Sequence, residues 1–130
     1  MPDLTNLIAR VEAATGPDRG LDADILCAVR PEWKWDRSTQ QPTGWVSMAS
    51  GSGISCPAPH FTASVDDAMT MLDPDHWWCM GKGRTRPDEP IYGIVIFNAD
   101  LDRQVPVAEG EHPTSLPLAI CIAALKARMA

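Results

Sequence analysis

Six consecutive residues, Gly81-Lys82-Gly83-Arg84-Thr85-Arg86, hold the densest positive charge in the chain. Glycines let a backbone approach an anion closely, and Lys82, Arg84 and Arg86 supply charge-assisted donors, so a nucleotide phosphate is the ligand this stretch suits. The GxxxxGK[ST] spacing is absent and no helix begins there, so this is not a Walker loop. The competing reading is a solvated hairpin tip with gatekeeping charge.

Aromatic composition is the second clue. Five tryptophans stand against one tyrosine and two phenylalanines. Trp33, Trp35 and Trp45 lie among polar and turn-forming residues, whereas Trp77 and Trp78 are adjacent. In an extended segment that pair must point to opposite faces, so one can enter the core while Trp78 stays free to stack. An indole contributes roughly 1–3 kcal/mol when a base stacks on it, and it also anchors protein interfaces. The alternative is that these rings fill gaps beneath a long loop.

Other chemistry finds less support. Asn98, Asp100 and Asp102 alternate as hard-cation ligands do, but the glycine and distal glutamate of a calcium loop are missing, and a polar turn accounts for them. His60, His76 and His112 are flanked by Pro or Asp in predicted loops, and no Ser, Thr or Cys occupies a nucleophile elbow. The three histidines therefore read as surface residues. Cys27, Cys56, Cys79 and Cys121 form no CxxC pair and read as reduced, mostly buried thiols. No catalytic residue, metal ligand or cofactor is assigned.

The elements that must position these residues follow from periodicity. Leu4, Leu7, Ile8, Val11 and Ala14 predict a helix over Leu4 to Thr15, with Asp3 as cap and Gly16-Pro17 as stop. A second helix runs from about Leu21 to Val29, capped by Asp18. Residues 30–60 read as a long loop with room for an edge hairpin, in which Trp45 to Met48 forms a short strand. Ser64 and Asp67 open a third helix that ends before Pro74. Strands are expected at Trp77 to Met80, Ile91 to Phe97 and Gln104 to Val107, in an antiparallel meander with the apolar middle strand at its centre. A final helix, Ser115 to Met129, with Thr114 as cap, is apolar nearly all round, so it is packed on two sides or meets a partner chain.

Composition bounds the class. The chain has 130 residues, 45% hydrophobic and 22% charged, which suits one globular domain spanning 1–130. A net charge of -6 argues against nucleic acid as partner. With no run of about 18 apolar residues and no basic-then-apolar leader, a cytoplasmic protein with no membrane partner is expected.

Several blocks together resemble the phage ABA sandwich domain of small phage and prophage proteins. They are Leu7-Ile8-Ala9-Arg10-Val11-Glu12-Ala13-Ala14-Thr15-Gly16-Pro17-Asp18-Arg19, then Leu21-Asp22-Ala23-Asp24-Ile25. Further on come Phe61-Thr62-Ala63-Ser64-Val65-Asp66-Asp67-Ala68, Trp77-Trp78 and Leu118-Ala119-Ile120-Cys121-Ile122-Ala123-Ala124-Leu125-Lys126-Ala127-Arg128. The blocks lie at both ends and in the middle of the chain. The resemblance implies an α/β fold, an antiparallel three- to four-stranded sheet with helices packed on it as an α/β/α sandwich, inside a host cell. It transfers no catalytic residue. The Arg30–His60 and Gly81–Pro90 stretches depart from it, and particular function is expected there.

The resulting expectation is a non-catalytic phage accessory protein active in counter-defence. It would inhibit a host immune protein or sequester a small nucleotide signal, through Lys82, Arg84, Arg86, Trp33, Trp35, Trp45 and Trp78. A homo-oligomer through the C-terminal helix is the natural assembly. Two other classes stay open: a small hydrolase or nuclease using one of the histidines with Asp100 or Asp102, and a structural virion or assembly protein.

Overall fold

The computed structural model describes residues 3–35, 43–48, 50, 53–86, 89–97 and 106–129, and of 82–90 only the backbone of 82–86 and 89–90. The first helix, α1 (Leu4–Ala13), begins where the Asp3 carboxylate accepts the Asn6 N–H at 3.2 Å, and ends at an extended Ala14 ahead of Gly16-Pro17. Helix α2 (Arg19–Val29) starts one half-turn earlier than periodicity suggests, because Asp18 accepts the Leu21 N–H at 3.0 Å and Arg19 and Gly20 already turn. Leu7, Ile8 and Val11 of α1 and Leu21, Ile25 and Leu26 of α2 are buried together.

Residues 30–60 hold more regular structure than the long loop with an edge hairpin that was expected. Their described part holds a three-stranded antiparallel sheet, β1 (Trp33–Trp35), β2 (Trp45–Met48) and β3 (Ser55–Pro57), with Trp35 opposite Val46 and Val46 opposite Cys56. The middle strand was anticipated. The outer two have three residues each, too few for alternation to show. This sheet leans on α2 and buries Val46 completely.

A buried polar network fastens the segment after β3 to α2. Asp22 is fully buried and accepts both the Thr62 N–H and the Thr62 hydroxyl at 2.8 Å. Its other oxygen pairs with Arg19 at 2.7 Å, and Arg19 also donates to the Ala58 carbonyl at 2.7 Å. Every partner of the buried charge is thus an N–H or O–H donor, which is the condition for burying it without a large penalty. Gly44, at φ +98°, is needed beside this network, because a Cβ there would come 3.0 Å from the Arg19 side chain.

Helix α3 (Val65–Met69) is capped by Ser64, whose hydroxyl accepts the Asp67 N–H at 3.2 Å. It is shorter than expected; turns carry the chain through Met71 and Leu72. The second sheet is the predicted antiparallel meander, with order β4-β5-β6 and β5 (Glu89–Phe97) central. Strand β5 starts two residues earlier than expected, and the two outer strands differ more. Strand β4 runs on to Arg86 (Trp77–Arg86), so Gly81–Arg86 is ladder rather than loop. Strand β6 lies at Pro106–His112, later than expected, while Gln104, Val105, Asn98, Asp100 and Asp102 lie outside the described residues.

Helix α4 (Leu116–Met129) is the centre of the core. Its cap is Ser115, which accepts the Leu118 N–H at 3.2 Å, and not Thr114. Residues Leu118 to Leu125 are all buried, against β5 and β6 on one side and α1 and α3 on the other. The expected two-sided packing is therefore met within the chain, and the apolar surface that suggested self-association is largely covered by it. The class is mixed α/β, antiparallel sheets with helices packed on them.

Candidate functional site

The sequence-predicted residues are spread along the two sheets. Trp33 and Trp35 are half-buried on β1 and pack against the core, and Trp35 donates its indole N–H to Asp24, which also pairs with Arg10 at 2.7 Å. These two rings are thus committed to holding the first sheet on α2. Trp45 is half-buried on β2.

Trp77 and Trp78 differ from expectation, because neither enters the core. They are 55% and 45% exposed, at the start of an edge strand. The register explains this: Trp78 lies opposite Ile96 and Trp77 opposite Phe97 at the end of the ladder, so they occupy opposite faces beyond the reach of full coverage. Farther along β4, Lys82, Arg84 and Arg86 take register positions opposite Tyr92, Pro90 and Glu89, with an irregularity between Arg84 and Arg86. The edge strand therefore carries indoles at one end and cationic residues at the other.

A feature that sequence reasoning missed lies on the sheet face that carries Ile96. A cleft of about 580 Å³ opens where α2 and α4 end, across from the turn after α3. Ile96, Ala124 and Met71 contribute apolar lining; Arg30, Arg128, His76 and Asp73 contribute polar lining. Trp78 faces Ile96 across the ladder, so its ring sits on the same sheet face as this lining. The only sequence signal for the site was the pair of arginines near helix C-termini, which reads as ordinary dipole complementation.

The cleft's polar groups differ in how committed they are. Asp73 accepts the Asp75 N–H at 2.9 Å with one oxygen. Thr70, also in the lining, donates its hydroxyl to the Asp67 carbonyl at 2.6 Å. Among the described residues, Arg30 and Arg128 have no acidic partner, whereas Arg10 and Arg19 are both ion-paired.

The histidines separate by environment. His112, expected at the surface, is buried on β6: it donates from Nε2 to the Ala14 carbonyl at 2.7 Å, and its Nδ1 accepts the Thr114 N–H at 3.2 Å. Both nitrogens are consumed in tying β6 to the end of α1, which removes it from acid–base work. His60 is exposed and His76 lines the cleft. All four cysteines are free. Only Cys121 is fully buried, with its thiol donating to the Phe61 carbonyl at 3.3 Å; burial, with Asp22 nearby, pushes it up to about 12. Cys27 is raised for the same reasons in kind, burial first and then Asp24, while Cys79 is exposed.

Among the described residues, no group of three or more His, Cys, Asp or Glu side chains converges as a metal site, and no helix is long and apolar enough to cross a membrane. Comparison of the chain with known protein families, curated proteins and solved structures gives no match, so the resemblance to the phage ABA sandwich domain rests on its own residues.

Proposed function

We propose that the protein works by binding a partner protein without catalysis, through the β4 edge. The observation that carries this reading is the paired exposure of Trp77 and Trp78 on β4, an edge strand among the described residues. Leaving two indoles in water forgoes burial of large apolar area, and exposed aromatic surface of this kind is characteristic of interfaces. The cationic residues farther along the strand favour a partner with an acidic surface. Taken with the phage resemblance, the finer reading is counter-defence, with a host immune protein as the partner.

The test is capture of partners from host lysate by the intact chain, compared with Trp77→Ala and with Lys82→Ala/Arg84→Ala/Arg86→Ala. A specific host protein held by the intact chain and lost from both variants supports the reading. Identical capture by all three proteins contradicts it.

A second reading, a small hydrolase, has one observation in its favour: His76 and Asp73 line the same cleft. Turnover of a phosphate or peptide ester that disappears in His76→Ala would favour it over binding alone.

A further inference from the structure

We infer that the cleft between the ends of α2 and α4 is a binding site for a nucleoside phosphate, adjoining the partner surface at Trp78 and distinct from it in its arginines. Its volume of about 580 Å³ falls within the roughly 300–1,000 Å³ of small-molecule clefts. Its chemistry divides into three parts that match the three parts of such a ligand.

The cationic part comes first. Acidic residues outnumber lysine and arginine, 17 to 11, so an unpaired arginine has many potential partners. Two of the four described arginine side chains, Arg10 and Arg19, have found them. The other two, Arg30 and Arg128, come from different helices and line one cleft, and neither is ion-paired among the described residues. Two guanidiniums at one opening are suited to a phosphate, which each can grip through two N–H donors. The helix ends that open here present carbonyl oxygens rather than N–H groups, so the anion is held by these side chains alone.

Asp73 supplies the second part. One carboxylate oxygen is occupied by the Asp75 N–H, and the other is left to accept hydrogen bonds. A carboxylate repels phosphate but accepts from the hydroxyls of a ribose, so its presence orients the ligand with sugar toward Asp73 and phosphate toward the arginines.

The third part is aromatic and lies outside the lining itself, on the neighbouring strand. Trp78 is 45% exposed and shares a sheet face with Ile96, which lines the cleft. A base is a flat, polarisable ring that stacks on such an indole regardless of its identity. The site therefore selects a nucleotide as a class, with little preference among bases.

Isothermal titration with ADP and separately with inorganic phosphate tests this. ADP binds the intact protein, and Arg30→Ala and Arg128→Ala each weaken it about tenfold or more. Trp78→Ala weakens ADP about tenfold while leaving inorganic phosphate unchanged. All three side chains are exposed, so circular dichroism of the variants stays native. Absence of ADP binding at millimolar concentration, or unchanged affinity in the Arg30→Ala/Arg128→Ala protein, overturns the inference. Partner capture by the same double variant is expected to be normal, so failure of this site and failure of the partner surface read out separately.

Discussion

Arg30 and Arg128 stand at the ends of two different helices, yet line one cleft. Arg30 is the residue at which α2 stops, its N–H donating to the Leu26 carbonyl at 2.8 Å, and Arg128 lies in the last turn of α4. Each is explained locally as a cation at a helix C-terminus, worth about 0.3–1 kcal/mol. Their convergence is a tertiary fact, produced by packing α4 between the β4–β6 sheet and the other helices.

That packing depends on Gly110. A Cβ at this position would lie 2.1 Å from the Ala119 carbonyl oxygen and 2.6 Å from the Ala123 nitrogen, both backbone atoms of α4. Neither can rotate aside, so Gly110→Ala must push the helix off the sheet, at about 3 kcal/mol or more. Gly93→Ala is the control on the neighbouring strand, where the new Cβ meets nothing nearer than 3.6 Å. Urea unfolding is expected to place Gly93→Ala within about 1 kcal/mol of the parent and Gly110→Ala far below it. Equal stability of the two variants would mean that α4 does not approach β6 this closely.

The same close approach explains which parts of the fold were legible. Alternation along β6 is clear in the structure, with Ala108, Gly110 and His112 buried and Glu109 and Glu111 exposed. The buried set contains no large apolar residue, because the helix leaves no room for one, so the strand's signal was misplaced toward Gln104 to Val107. Strand β5, with Ile94 and Ile96 buried, and the caps at Asp3, Asp18 and Ser64 were readable because their determinants are local. Gly81 and Gly83 suggested a loop, whereas their backbones pair in the ladder opposite Gly93 and Ile91. Of the candidate site, Trp78 was visible in sequence; the cleft was not, since its lining comes from α2, α4, β5 and the turn after α3.

The Asp22 network predicts a graded response. Arg19→Ala removes the charge partner of a carboxylate that is fully buried, although the Arg19 side chain itself is 29% exposed. A loss of about 2–4 kcal/mol is expected, because Thr62 still donates twice. Thr62→Val keeps the shape but removes the hydroxyl that donates to Asp22 and accepts the Asp18 N–H, for about 1–3 kcal/mol. Chemical denaturation of both variants checks the order; a neutral Arg19→Ala would show that Asp22 needs no counter-charge.

Alkaline pH provides a separate check through Cys121. Its native value of about 12 lies above the ordinary 9.0, so between these the folded chain keeps a proton that the unfolded chain has lost. The stabilisation is therefore complete below pH 9 and is lost as pH rises from 9 toward 12, with a slope of at most about 1.4 kcal/mol per pH unit. Cys27 shifts in the same direction and adds to the trend. Unfolding midpoints measured from pH 8 to pH 11 should fall less steeply for Cys121→Ala than for the parent. Alkylation of the native protein at pH 8 should modify the exposed Cys79 first and Cys121 last.

Binding without chemistry at the cleft is tested most directly by following both ligand and protein in one tube. In a nuclear magnetic resonance titration with ADP, the Arg30 and Arg128 Nε–H signals and the Trp78 indole N–H signal should shift together. The phosphorus spectrum should still show intact ADP after hours. Shifts confined to other residues, or ADP converted to AMP and phosphate, would contradict the account.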